Sequence, residues 1–368
     1  MPIQTCSNNC FMPNNNIMHT IKCFSRFLLA ASIIGLASCS KDDNPAPDYN
    51  SNKTRLKQVI DSLTAVSGKS VEGSKPGQYV IGAKKALDSV LSLGNQVYTG
   101  SYTQQQVNNA VGNLLGAGET FSTKLLQEVS VANLMAFWKF NGNANDSSGH
   151  GHHGALITGL TGSSATVAKD GGVLPQAVAD RFGRAGMAYD FNTGATVEVP
   201  YSAELNPQNL TISLWVKRHT TNPSNYLVSI NRWNGYKFQL QGNNFPFFTF
   251  QDSNNGYHDV DANPGTVPQD VWTQVAITYT NGSMKFYVNG DLVKTVAVNG
   301  TPITVNPPVN MSIGNELPKS AYNLTDSNSP NYYYGESFLN GSLDDVRIYN
   351  TALSAAEILS IYTQEKTL

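Results

Sequence analysis

All four cysteines of the 368-residue chain, Cys6, Cys10, Cys23 and Cys39, lie near its N-terminus. The remainder can form no disulfide, so its stability has to come from packing. Charge is scarce too: Asp, Glu, Lys and Arg make up 14 % of the residues and the formal net charge is −2. No basic stripe is present, which excludes nucleic acid as a partner. The most apolar run, Phe27 to Ala37, falls well short of the roughly 20 residues a membrane-crossing helix needs. Catalytic signatures are missing as well. No Glu-x-Asp-x-x-Glu spacing and no Gly-x-Ser-x-Gly elbow occurs, and Glu198, Glu204, Glu316 and Glu336 lack acidic neighbours at useful spacing. Plentiful instead are Gly, Asn, Ser, Thr and Tyr, the balance of an extracellular β-rich protein.

From Met18 the chain reads as a signal peptide: basic Lys22 and Arg26, the apolar run, then small residues before Cys39. Residues 1–17 are polar and Asn-rich, so Met18 is the expected true start and residues 1–38 the expected signal. "LASC" at Leu36 to Cys39 resembles the bacterial lipobox, which implies cleavage before Cys39 and lipidation of its thiol. Several acyl chains on one cysteine anchor a protein durably, each buried methylene contributing about 0.8 kcal/mol. An ordinary cleaved secretory signal is the alternative. The following "SKDDNPAPDYNSN" makes residues 39–52 a flexible acidic tether. It resembles the surface-export signal of Bacteroidetes lipoproteins, which implies an outer-membrane lipoprotein facing the cell exterior.

Between residues 53 and 130 the apolar residues recur at helical spacing: Leu56, Val59, Ile60 and Leu63, then Ala83, Leu87, Val90 and Leu91, then Val107, Ala110, Leu114 and Phe121. Three amphipathic helices in an antiparallel bundle are expected, the third opened by a capping box of Thr103 and Gln106. The segment resembles the FIVAR-type helical modules of bacterial surface proteins, which implies a spacer or a sugar-associated domain. From about residue 132 to 368 the period changes to two. Short runs such as "LTISLWVKR", "YKFQLQ", "FPFFTF" and "VWTQVAITY" are broken by Gly, Asn and Pro, and "VNGD" at Val288 to Asp291 signals a hairpin. The expected fold is therefore multidomain: a small α-helical bundle followed by an all-β jelly-roll sandwich, with a short C-terminal helix capped by Ser354 and Glu357.

The ordered motifs "LMAFWKFNGNANDSSGHGHHG", "GMAYDF", "LTISLWVKR", "WTQVAITYTNGSMKFYVNGDLV" and "FLNGSLDDVRIYNTALSAAEI" together resemble the laminin-G-like modules of the concanavalin A-like lectin and glucanase superfold. In that family the opening turn carries a His where His153 stands, with Asn usual at the places of His150 and His152. Zinc is disfavoured, because after the expected signal segment the only other histidines, His219 and His258, lie in remote loops and no cysteine is at hand. Calcium suits the resemblance better, with Asp146 and Asp344 as ligands where the terminal strands meet. Alternation places Asp344 with Val346 and Ile348 on the core face and Asp345 with Arg347 on the other; hydrogen bonding without metal is the alternative for Asp344. Trp138, Trp215 and Trp272 fall inside strand runs and are expected in the core. Trp233 and Tyr236 in "NRWNGY", with Tyr332, Tyr333 and Tyr334 in "SPNYYYGES", are the candidate ligand-stacking rings. The implied function is non-catalytic glycan binding at the cell surface, alongside partner proteins of a polysaccharide-utilisation system. An adhesion module for a protein partner is the main alternative and a glycoside hydrolase the weaker one.

Overall fold

The computed structural model describes residues 47–367. The leader, Cys39 and most of the tether lie outside the described residues.

Three helices come first, α1 (Thr54–Lys69), α2 (Ala83–Thr99) and α3 (Gln104–Ser122). Their apolar stripes close on one core of Leu56, Val59, Ile60, Leu87, Leu91, Val107, Ala110, Leu114 and Phe121. The Thr103 hydroxyl accepts from the Gln106 amide while the Gln106 side chain accepts from the Thr103 amide, so α3 starts where the capping box places it. Gly94 lets α2 approach α3: a Cβ there would lie 2.8 Å from a Leu114 methyl.

The β region begins with β1 (Leu134–Trp138), β2 (Ala155–Ile157), the short pair β3 (Leu160–Thr161) and β4 (Lys169–Asp170), then β5 (Gln176–Val178), β6 (Ala188–Phe191) and β7 (Thr196–Val199). It continues with β8 (Leu210–Arg218), β9 (Asn225–Ile230), β10 (Tyr236–Leu240), β11 (Pro246–Gln251) and β12 (Tyr257–Asp261). Last come β13 (Thr273–Thr280), β14 (Ser283–Val288), β15 (Asp291–Val296), β16 (Met311–Ile313) and β17 (Gly341–Tyr349), followed by α4 (Ala355–Glu365). One sheet of eight strands runs β15-β14-β13-β8-β17-β6-β5, with β1 also on β17; a second of seven runs β12-β11-β10-β9-β16-β7-β2. The expected hairpin joins β14 to β15, with Asn289 (φ 51°) and Gly290 (φ 78°) both left-handed at its tip.

Alternation supplies the core between the sheets. Ile212, Leu214, Val216, Ile277 and Phe286 of one sheet meet Val228, Ile230, Phe238, Phe248 and Met311 of the other, all fully or almost fully buried. The outer face of the eight-stranded sheet is covered by α4. The other outer face is polar. Register sets Glu198, Ser312, Ser229, Lys237, Thr249 and Asp259 side by side across six strands. Part of this row lies beneath the segment from Asn315 to Leu339, which folds back over it: the Lys319 amide donates to Glu198, and Arg232 donates to the Tyr332 carbonyl at 2.7 Å.

Candidate functional site

Where that returning segment ends, aromatic rings gather at the polar face. Trp233 sits in a 3-10 turn between β9 and β10. Its ring centroid is 6.1 Å from that of Tyr334, which in turn meets Tyr332 edge-on at 5.2 Å. Beneath them lies Arg232, buried with φ 51°, its guanidinium 4.9 Å from the Trp233 ring and 5.6 Å from the Tyr334 ring. Glu316, also buried, faces Arg232 at 3.3 Å. Burial pushes the Glu316 carboxyl up to about 7, against the pull of Arg232 and Lys237. Arg232 is thus a strut that fixes the rings from below. Its position between a counter-charge and three π faces, the third being Tyr322 at 5.6 Å, offsets the cost of burying a cation.

Beside the rings the sheet contributes polar groups. Lys237 Nζ lies 5.7 Å from the Trp233 ring, 5.5 Å from Tyr226 and 5.2 Å from Phe247; burial lowers its pKa, opposed by Asp259 and Glu316. Thr249 donates to Asp259 at 2.6 Å, and the exposed Tyr257 donates to Asn234 at 3.0 Å. Arg232, Lys237, Tyr257 and Asp259 were not among the residues singled out from sequence. Lys237 was within reach, because "YKFQLQ" alternates and puts it opposite the core-facing Tyr236 and Phe238.

Two of the expected rings are corrected. Tyr236 is a core residue on β10 whose hydroxyl donates to the Leu205 carbonyl at 2.7 Å. Tyr333 is 1 % exposed, packs edge-on against Tyr322 at 5.1 Å and donates to the Gly162 carbonyl. Neither can stack on a ligand. Trp233, Tyr332 and Tyr334 remain, with Tyr334 57 % exposed.

The two aspartates expected to share calcium are each held by other partners. Asp146 organises the opening turn by itself: its carboxylate accepts from the amides of Phe137, Ser148 and His152 and from the Ser148 hydroxyl. Burial raises its pKa, yet those donors outweigh it and the net shift is downward. Asp344 meets a different cation, the Arg181 guanidinium, at 2.5 Å, and Arg181 also holds Asp345 at 2.8 Å. The expected facing of Asp344 is corrected too. Asp345 (φ 49°) forms a bulge, so Leu343 and Val346 both face the core and Asp344 turns to the outer side beneath α4.

In the same opening turn, His153 Nδ1 accepts from the Asp146 amide. His150 Nδ1 and His152 Nε2 lie 3.1 and 2.9 Å from one oxygen of Glu204, which sits in the turn between β7 and β8. Hydrogen bonding to His152 holds the Glu204 carboxyl below its usual range, against desolvation and with His150 adding to the lowering.

Residues 191–359 match the laminin G type family described as the concanavalin A-like lectin/glucanases superfamily. A domain of that superfamily occupies this stretch. The strands before it belong to the same sandwich, since β1 pairs with β17 and β2 with β7. Among solved structures, domain 4 of AbnA, a GH43 extracellular arabinanase from Geobacillus stearothermophilus in complex with arabinotriose, is 20 % identical over 62 % of this chain and 98 % of its own, at TM-score 0.43. The binding domain of Paraclostridial Mosquitocidal Protein 1 is 17 % identical over 63 % of this chain and 52 % of its own, at TM-score 0.44. The binding domain of botulinum neurotoxin serotype D is 18 % identical over 63 % and 52 %, at TM-score 0.42. The chain spans about half the length of these two toxin domains. No curated protein matches it.

Proposed function

We propose that the protein is a non-catalytic, lipid-anchored cell-surface protein that binds a glycan on the outer face of its seven-stranded sheet. The observation that carries this reading is the convergence of Trp233, Tyr332 and Tyr334 around buried Arg232, beside the polar groups of Lys237, Asn234 and Asp259. Rings offer flat apolar surfaces to the C–H faces of a sugar, and neighbouring amides, ammonium and carboxylate groups satisfy its hydroxyls. Glu316 is buried against Arg232, which leaves exposed Asp259, one oxygen accepting from Thr249, as a single reachable carboxylate where glycoside hydrolysis uses a pair. That supports recognition rather than acid–base chemistry. The anchor rests on the sequence alone, on Leu36 to Cys39 and the basic residues before them.

Glycan-array binding by the full chain, followed by titration of the best hit, tests the proposal. A stacked ring contributes about 0.5–1.5 kcal/mol, so Trp233→Ala and Tyr334→Ala should each weaken binding roughly threefold to tenfold with unchanged far-ultraviolet circular dichroism. Failure to bind any glycan, or wild-type affinity in both variants, overturns the reading. Binding to a protein partner in that case identifies an adhesion module.

A further inference from the structure

We propose that His150, His152 and Glu204 form a binding site for a zinc-class divalent cation. Their donor atoms lie within 4.8 Å of one another, and no other histidine, cysteine, aspartate or glutamate group among the described residues converges in this way. The two imidazole nitrogens stand 3.1 and 2.9 Å from the same Glu204 oxygen. A tetrahedral site with bonds of ~2.0–2.1 Å has ligand–ligand edges of about 3.3 Å; the two imidazole–carboxylate edges already stand near that length, and the two imidazole nitrogens lie within 4.8 Å of each other. Two imidazoles and a carboxylate favour zinc and its transition-metal neighbours over calcium or magnesium, which take oxygen donors.

The ligands are held before any ion arrives. The His152 amide donates to Asp146 at 3.1 Å and its carbonyl accepts from the Trp138 indole at 2.8 Å, so both sides of the residue are fixed to buried groups. The His150 amide donates to Ser148, and Gly149 and Gly151 take φ of 99° and 81°, which lets two histidines two residues apart turn the same way. Their rings lie 13° from parallel with centroids 6.2 Å apart. On the other side Ser202 caps the Glu204 amide, and the next residue, fully buried Leu205, is tied to the Tyr236 hydroxyl. Such outer contacts set ligand orientation in metal sites.

The other described histidines lack this convergence: His153 Nδ1 accepts from the Asp146 amide and His153 is not part of the cluster. His219 holds Asp190 and Asp270 on opposite ring nitrogens, which no single ion can share, and His258 has one carboxylate, Asp252. The spacing of cysteines and histidines alone gives no sign of this site. The third donor is instead a glutamate 52 residues away from His152, brought in by the turn after β7. His152 is 10 % exposed while His150 and Glu204 are 34 % and 49 % exposed, so the site opens outward and leaves a fourth position for water or an incoming ligand.

The full chain, stripped with chelator and dialysed, should bind zinc saturably at one site by calorimetry, and cobalt(II) should give the intense visible bands of a tetrahedral centre. His152→Ala and Glu204→Gln should each weaken zinc binding by about tenfold or more, whereas His258→Ala should bind as wild type. Zinc should raise the melting temperature of wild type but not of Glu204→Gln, whose half-exposed side chain can change without loss of the fold. Absence of saturable binding, or wild-type affinity in both ligand variants, overturns the proposal.

Discussion

Tyr332, Tyr333 and Tyr334 are adjacent in sequence yet belong to two different environments. An extended segment sends successive side chains to opposite sides. Tyr333 therefore enters the interior and reaches Gly162, while its two neighbours flank Arg232 at the surface. Sequence marked the run as aromatic and loop-like, and no local pattern distinguishes the inward ring, because its partner is a backbone carbonyl 171 residues away. Tyr236 was more legible, since it shares the period of Phe238 and Leu240. A second residue-scale feature is His219, clamped between Asp190 at 2.8 Å and Asp270 at 2.7 Å. Desolvation lowers its pKa, but the hydrogen bonds and charges of the two aspartates prevail, and the folded value lies above the ordinary 6.5. The folded ring thus holds its proton more tightly than the unfolded chain does. The stability it contributes is complete below pH 6.5 and is lost as pH rises through the folded value. In His219→Gln the melting-temperature profile from pH 6 to 8 should lose that decline; the side chain is 31 % exposed, so the contribution stays below about 1 kcal/mol. An equal decline in wild type and variant excludes His219 as its source.

At the scale of elements, the bulge at Asp345 shows what alternation alone misses. One inserted residue changes the face of everything before it, and nothing in "LDDVRIY" announces the insertion. The consequence is a charged layer between the eight-stranded sheet and α4. Arg181 binds Asp344, Asp345 and the Glu365 carbonyl and lies 4.7 Å from the Trp215 ring; Arg347 pairs with Glu365, whose other oxygen accepts from the Trp215 indole at 2.7 Å. Burial and neighbouring Asp345 push the Asp344 carboxyl up, and Arg181 works against them. Trp215 is therefore buried as expected, but beneath a helix rather than between the sheets. Arg181→Met leaves Asp344, whose side chain is 3 % exposed, without its cation. Breaking such a pair costs about 3–5 kcal/mol, and replacing both partners with uncharged groups is often far cheaper. Chemical denaturation should show that loss in Arg181→Met and recovery of most of it in Arg181→Met with Asp344→Leu. A loss below about 1 kcal/mol, typical of surface pairs, would show that the layer is solvated.

For the whole molecule, the bundle and the sandwich were separable in the sequence by their periods, 3.6 and 2, and both classes of element form where those periods run. What the periods could not convey is how the two are joined. The segment after α3 is bonded on both sides. Its Leu126 amide donates to Gln78 and the Gly77 amide donates back to Leu126, within the bundle. The next amide, Gln127, donates to the Ser360 hydroxyl of α4 at 2.7 Å, and Val129 packs against the cluster of Tyr349, Ile358 and Ile361. Lys124 also approaches Asp291 of β15 at 3.5 Å, but both side chains are well exposed and such a pair contributes little. The junction therefore behaves as part of the fold rather than as a loose linker, and Leu126, 1 % exposed, is its apolar centre. Two units coupled through ordered, buried contacts unfold together when the coupling exceeds the stability difference between them. Calorimetry of the full chain should accordingly show one transition, with equal calorimetric and van't Hoff enthalpies. Ser360→Ala removes one partner of the Gln127 bond and should cost about 1 kcal/mol, while hydrogen exchange at the Gln127 amide accelerates and the α2 and α3 amides keep their protection. Two resolved transitions in wild type, with Gln127 exchanging as fast as an unprotected amide, would instead make the segment a hinge and the bundle an independent spacer.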